Sequence, residues 1–327
     1  MPRFPRRTED FPRTLAEVEK RFSDELSCRQ YLDSLRWRGG FECPGCGGGK
    51  RWMMDNVVSV CSACRRKTSP IAGTIFDKTR TPLPTWFRAA WLLTTQKSGF
   101  SAKALQRTLG LGGYQTAWTM LHKFRLAMVR PGRDRLQGEV EVDETFVGGV
   151  EKEDQGRGRK TTTKQIVVIA VEFKPGEPSY GRIRMERVSD FTRDSLIGFI
   201  ERSVERGTIV HTDGLNSYRT LEQRGYPHRA MNLSGSPWDA NEVMPAVHRV
   251  ASLFKRWWLG THQGVMAQEH LQAYLNEFTF RFNRRKSRDP GLLFYRLLEQ
   301  AVVTGPTTYG DLTSHETQTT RCSGWFS

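Results

Sequence analysis

Two sets of residues in this 327-residue chain have the types and spacing to do chemistry. The first is Cys43-Pro44-Gly45-Cys46 with Cys61-Ser62-Ala63-Cys64, two CxxC turns with 14 residues between them. Two such turns brought together by a hairpin place four thiolates about 2.3 Å from one Zn²⁺ in a tetrahedral shell. A closed shell of four sulfurs leaves no open position, so this metal is expected to be structural. It would supply much of the folding energy of a segment with little core of its own. A thioredoxin-like redox pair is the competing reading, but no βαβ pattern surrounds either turn. Cys28 falls in a helical pattern and reads as a small buried hydrophobe, and Cys322 finds no partner.

The second set is acidic. Asp143 lies in the alternating run Glu139-Val140-Glu141-Val142-Asp143-Glu144, and Asp213 follows the apolar stretch Thr208–Thr212. If the two strands are neighbours, both carboxylates reach one cation, and oxygen ligands of this kind suit Mg²⁺. Asp213-Gly214 by itself is also the signature of an ordinary turn. His248 and Lys255 are seven apart, two turns of a helix, and so share a face. A histidine near two aspartates, with a lysine on its face to hold a phosphate, suits phosphodiester chemistry. His248 alone is equally well read as a core or capping histidine.

The elements that position these groups follow from periodicity. Residues 12–38 have apolar positions three and four apart and read as a helical lead-in. From Pro84 to Val129 there are three helical pieces: Trp86–Gln96, Ala102–Leu109 capped by Ser101, and Gln115–Val129 after a break at Gly110, Gly112 and Gly113. That is the outline of a helix-turn-helix, with Lys103, Arg107, Lys123 and Arg125 as its positive side chains and Gln115 opening the last helix. An ordinary helical bundle with a solvated basic face is the alternative. Strands are expected at Glu139–Val147, Gln165–Phe173 and Gly181–Val188, then a helix at Thr192–Glu205 and a strand at Thr208–Thr212. A helix at Leu215–Glu222, a fifth strand near His228–Leu233 and helices at Val247–Leu259 and Gln268–Phe282 complete the series. This order belongs to an α/β, RNase H-like mixed sheet with helices on its faces.

Charge divides the chain in the same way. Of 50 basic and 35 acidic side chains, 16 and 3 fall between residues 50 and 138, whereas residues 139–327 hold 25 and 24. One module meets a polyanion, and nucleic acid is the expected partner. No apolar run approaches the ~20 residues of a membrane span, so no membrane role and a cytoplasmic, nucleoid-associated location are expected.

At these residues the sequence resembles bacterial insertion-sequence transposases of the DDE superfamily, in the group with an N-terminal zinc ribbon. The resemblance runs from about Cys43 to Arg285. It rests on the cysteine segment with Thr68–Thr74, on Val142–Gly149, on Thr212-Asp213-Gly214, on His248 through Lys255-Arg256 to His262, and on Leu271–Phe278 with Arg281–Arg285. With the periodicity, it gives an expected division into a lead-in at 1–38, a zinc ribbon at 39–80, a helix-turn-helix at 84–130 and a catalytic domain at 138–285. Residues 286–327 are left as a tail without a role.

By position, Asp143 and Asp213 match the family's catalytic aspartates. His248 stands where the group varies among Glu, Asn and His, and Lys255 matches the lysine that follows. Imidazole in place of carboxylate removes one negative charge, so Mn²⁺ is expected to serve alongside Mg²⁺. Glu242 and Glu277 are the alternative third ligands. The family implies two-metal cleavage and strand transfer on double-stranded DNA, at element ends and target, by a homo-oligomer. Arg284 and Arg285 are candidates for flanking or target DNA, with a solvated face as the alternative. Two competing functions remain: a catalytically inactive zinc-ribbon and helix-turn-helix regulator, and an RNase H-like nuclease acting on RNA-DNA hybrids.

Overall fold

The computed structural model describes residues 11–130, 132–148, 151–152, 161–162, 164–177, 180–231, 243–262 and 268–314. The chain forms two compact units, residues 131–285 on the one hand and residues 1–130 with 286–327 on the other. In the latter, helices α1 (Leu15–Arg21) and α2 (Glu25–Arg36) start at side-chain caps, Thr14 accepting from the Glu17 N–H and Asp24 from the Ser27 N–H. Strands β1 (Arg51–Met53), β2 (Ser59–Cys61) and β3 (Lys67–Thr68) form an antiparallel sheet in that order. Helix α3 (Leu83–Thr95) is buried on almost every side, as its nearly continuous apolar sequence requires. The capped helix expected after Ser101 is α4 (Ala102–Leu109): the Ser101 hydroxyl accepts from the Ala104 N–H at 3.1 Å, and Gly110 closes the helix at φ +63. Helix α5 (Tyr114–Ala127) completes the helix-turn-helix outline.

The 131–285 unit is built on strands β4 (Glu139–Val147), β7 (Gln165–Phe173), β8 (Ile183–Val188), β9 (Ile209–Thr212) and β10 (His228–Ala230); β5 (Glu151–Lys152) and β6 (Thr161–Thr162) pair only with each other. The sheet order is β10-β9-β4-β7-β8, with β10, β9 and β4 parallel and β7 and β8 antiparallel to their neighbours. This mixed sheet is RNase H-like, as the element order implies. Helix α6 (Arg193–Ser203) covers one face, burying Leu196, Phe199 and Ile200 with Val140, Val142 and Val210. Helices α7 (Pro245–His262) and α8 (Leu271–Asn283) cover the other, burying Val250, Phe254 and Phe278 with Val167, Ile169 and Val171. Because both faces are covered, β7 reads as an unbroken apolar run.

Two expectations need correction. Leu215–Glu222 is not an α-helix but two 3₁₀ turns, Asn216–Tyr218 and Glu222–Arg224. Its fully buried residues, Tyr218 and Leu221, are three apart, which matches the 3₁₀ period, and Asn216, Ser217 and Thr220 are poor helix formers. Nor are residues 286–314 a featureless tail. Asp289 accepts from the Gly291 N–H, Pro290 opens helix α9 (Pro290–Ala301), and a shorter helix α10 (Tyr309–Thr313) carries a capping box between Thr308 and Asp311. The buried Phe294 ring sits 5.9 Å from Phe87 and 5.7 Å from Trp91, so α9 completes the core around α3. At Gly291 the Pro12 carbonyl passes so close that no Cβ would fit.

Candidate functional site

Strand register brings the aspartates together. In the parallel β4–β9 pair Glu141 stands opposite His211, so Asp143 and Asp213, each two residues further on, emerge side by side. The carboxylates of Asp143, Glu144 and Asp213 offer oxygens that all lie within 4.8 Å of one another. Alternation along a strand would send Glu144 to the opposite face from Asp143. Pairing with β9 stops at Glu141 while β4 runs on to Val147, which leaves Glu144 an open edge around which to turn. The hydroxyl of the buried Tyr218 donates to its Oε1. Asp213 also serves the turn that its sequence suggests, accepting from the Leu215 N–H at 3.1 Å, and Gly214 provides the positive φ of +83 there.

Helix α7 supplies the remaining groups. The Glu141 carboxylate is buried on the α7 side of β4 and accepts from the Val247 N–H at 2.8 Å, so a β4 side chain fixes where the helix begins. His248 follows immediately, its Nε2 3.8 Å from Asp143 Oδ2, beyond hydrogen-bond length. His248, Ala251, Ser252 and Lys255 face a cavity of about 340 Å³ whose other lining residues include Asp143, Glu144 and Thr145. The sequence-expected Asp143, His248 and Lys255 thus line one cavity, and Asp213 joins Asp143 in the carboxylate cluster.

Electrostatics mark the same place. Burial raises the Asp143 carboxyl above its usual range, and Asp213 adds to this against the opposing effects of the Glu144 N–H, His248 and Lys255. Glu144 is pushed up to about 7, chiefly by burial and then by Asp143 and Asp213, despite the Tyr218 hydrogen bond. Crowded carboxylates in a low-dielectric site favour protons or a cation. Hard oxygen donors with one imidazole fit Mg²⁺ or Mn²⁺.

The two alternative third ligands fare differently from Glu144. Glu277 is fully buried in α8 and takes an Arg281 Nε–H at 2.9 Å, one helical turn on, and Glu242 lies outside the described residues. Glu144 was visible in the sequence only as the neighbour of Asp143. Its contribution depends on where β9 stops pairing, which no local pattern announces.

The cysteines come together as their spacing predicts. Cys43 and Cys64 sulfurs are 3.5 Å apart, Cys46 and Cys61 sulfurs 3.7 Å, and all four lie within 4.8 Å of one another. A tetrahedron with Zn–S bonds of about 2.3 Å has edges of about 3.8 Å. The two turns repeat one backbone device: the residue after each second cysteine is left-handed, Gly47 at φ 71 and Arg65 at φ 62. Each donates its N–H to the carbonyl of the first cysteine, Cys43 and Cys61 respectively. The Cys64 N–H, acting against burial, draws the Cys61 thiol down to about 6. Helix α2 is tied to this sheet by a bidentate pair, Arg51 to Asp33 at 2.7 and 2.8 Å, and by Arg36 donating to the Ser69, Pro70 and Ala72 carbonyls.

The expected DNA-facing residues divide. Lys103, Arg107 and Gln115 are exposed on α4 and at the start of α5. Arg125 is a correction: at 1% exposure it belongs to the interior beneath α5, on the face that also buries Leu121 and Phe124. Lys123 is half-buried, donating to the Ile75 carbonyl at 3.1 Å with its ammonium over the Trp86 ring. Arg284 and Arg285 fold back onto the end of α8, donating to the Phe280 and Phe282 carbonyls and stacking on those rings.

Comparison with known proteins agrees with this geometry. Residues 135–283 match the ISXO2-like transposase domain, and residues 23–67 match the transposase zinc-ribbon domain, which takes in α2 as well as the cysteines. The chain is 27% identical over 289 residues to the uncharacterized protein in transposable element ISH50 of Halobacterium salinarum, covering 83% of this chain and 95% of that protein. No helix among the described residues is long and apolar enough to cross a membrane.

Proposed function

We propose, from the premise that this chain belongs to the insertion-sequence transposases with an N-terminal zinc ribbon, that it cuts and joins DNA strands at the ends of its element. The observation that carries the reading is the convergence of Asp143, Glu144 and Asp213 on an RNase H-like sheet, beside His248 and Lys255. Asp143, Asp213 and His248 would hold the divalent cations, and Glu144 would supply the negative charge that a histidine in the third position leaves missing. When bound, such cations activate the attacking hydroxyl and stabilise the leaving oxygen in an in-line displacement.

The chain's own residues do the rest. Lys255, exposed at the cavity, attracts a phosphate next to the scissile bond. Tyr218 keeps Glu144 turned toward the aspartates, and Glu141 holds α7 so that His248 faces Asp143. Zinc at Cys43, Cys46, Cys61 and Cys64 holds the ribbon, and Lys103, Arg107 and Gln115 present a basic and polar surface to duplex DNA. Two ends must be joined in one event, so the working form is a homo-oligomer on DNA.

A cleavage and strand-transfer assay on the element's terminal repeats, with and without Mg²⁺ or Mn²⁺, tests the reading. Metal-dependent joining of DNA ends is expected. End binding without chemistry would instead identify a regulator, and cleavage confined to RNA-DNA hybrids would identify a nuclease.

A further inference from the structure

The cavity beside the carboxylates also presents two hydroxyls that the metal centre does not use. Thr145 and Ser252 line it together with Asp143, His248 and Lys255. On β4 the side chains of Glu141, Asp143 and Thr145 share a face, so Thr145 stands about 6.6 Å beyond Asp143. Helix α7 runs in the same direction: Glu141 meets its first turn at Val247, and Asp143 meets His248. Ser252 lies four residues past His248, one turn or about 6 Å further along the same face. The two hydroxyls therefore stand at one level of the cavity, a step beyond the groups that would hold metal. Lys255 follows Ser252 on the same face of the helix.

Among the described residues neither hydroxyl hydrogen-bonds to another group of the protein. A hydroxyl inside a helix commonly returns its proton to the carbonyl one turn back, as Thr94, Thr95 and Thr304 do at 2.8 Å. Ser252 leaves its hydroxyl to the cavity instead. A hydroxyl donates to an anion without carrying charge of its own. A second cation beside Lys255 would pair with Asp143 or Glu144 and compete with metal for them, whereas neutral donors do not. Phosphates recur at regular intervals along a strand, so a strand with one phosphate at Asp143 and Asp213 places another close by. We propose that Thr145 and Ser252 donate hydrogen bonds to the non-bridging oxygens of the phosphate adjoining the scissile one, while Lys255 offsets its charge. This rests on the reading of the carboxylates as a DNA strand-transfer site. The subsite holds the strand by its backbone and is indifferent to base sequence.

The test uses the full-length protein and pre-cut terminal-repeat duplexes in which each phosphate near the reacting end is replaced in turn by a neutral methylphosphonate. With wild type, one replacement beside the scissile position should raise the DNA concentration needed for half-maximal joining by about tenfold or more. Thr145→Val with Ser252→Ala should raise it about tenfold for the unmodified end, with the maximal rate little changed, and the same methylphosphonate should then cost little more. Thr145→Ser with Ser252→Thr keeps both hydroxyls and should restore both the half-maximal concentration and the sensitivity. Valine suits a strand and alanine a helix, so melting temperatures should hold. Mn²⁺ affinity should equal wild type, since neither hydroxyl ligates the cation. A Val and Ala double variant that joins ends like wild type, or that stays as sensitive to every methylphosphonate, would overturn the subsite. So would a loss of Mn²⁺ affinity that matches the loss of joining. All three results leave the strand-transfer reading intact. Wild type that binds these ends but performs no metal-dependent joining would overturn the reading on which the subsite rests.

Discussion

Among the described residues two clusters are able to hold metal, and they are built in opposite ways. The cysteine cluster comes from 22 consecutive residues, Cys43 to Cys64, and each half is a self-contained turn with its own left-handed residue and its own N–H to carbonyl bond. The carboxylate cluster gathers Asp143 and Glu144 from β4 and Asp213, about 70 residues further on, from the end of β9, and His248 and Lys255 line its cavity from a helix further along the chain. A locally encoded site depends on its metal to fold. A site assembled across a sheet depends on the sheet and on side chains that only position others.

Removing the metal should therefore affect the two clusters very differently. Cys61→Ser, or chelation of zinc, should cost the ribbon most of a binding energy on the order of 10–16 kcal/mol. Zinc content should fall from one per chain to none and specific protection of terminal repeats should disappear. Intact footprints without zinc would refute the structural role of the cysteines. Stripping Mg²⁺ should leave thermal unfolding almost unchanged.

Positioning residues should matter only for the assembled site. Glu141→Ala leaves buried N–H groups at the start of α7 unpaired, a loss of about 1–3 kcal/mol in denaturant unfolding. Mn²⁺ affinity should fall with it, since His248 is no longer held beside Asp143. Unchanged Mn²⁺ affinity would show that the helix finds its place without this carboxylate. Tyr218→Phe should be milder for the fold yet weaken Mn²⁺ binding by roughly tenfold, measured by paramagnetic resonance, because Glu144 loses its orienting donor.

The smallest effect should come from an ion pair outside both clusters. Burial raises the Glu172 carboxyl, but Arg182 side-chain and backbone donors and the Gln137 N–H more than offset this and hold it below its usual range. Its stabilisation is present above the unfolded value of about 4.3 and is lost as pH falls through the lower folded value. Glu172→Gln should flatten the acid limb of the stability curve by about 1 kcal/mol or less, with no change near neutral pH in metal binding.

This contrast also explains what the sequence made legible. Cysteine spacing, the Ser101 cap and the strand boundaries at Glu139–Val147 and Gln165–Phe173 are local patterns, and the structure repeats them. The adjacency of β4 and β9 follows from element order. The part played by Glu144 does not, since it depends on a strand that stops pairing early. The burial of Arg125 was hidden because a basic side chain in a helix-turn-helix suggests DNA, whereas its helical position places it among Leu121 and Phe124. Helix α9 carried a visible signal, Asp289-Pro290 followed by Phe294, Leu297, Leu298 and Ala301 at helical spacing. Its role was invisible because its partner, α3, lies about 200 residues earlier.

In the proposed function, strand transfer depends on one divalent-metal centre at the ends of β4 and β9. The most direct test is joining of a pre-cut element end to target DNA by Asp143→Ala and Asp213→Ala in Mg²⁺, with end binding measured on the same preparations. Full loss of joining, with end affinity and zinc content equal to wild type, is the expected result; residual joining by either variant would contradict it.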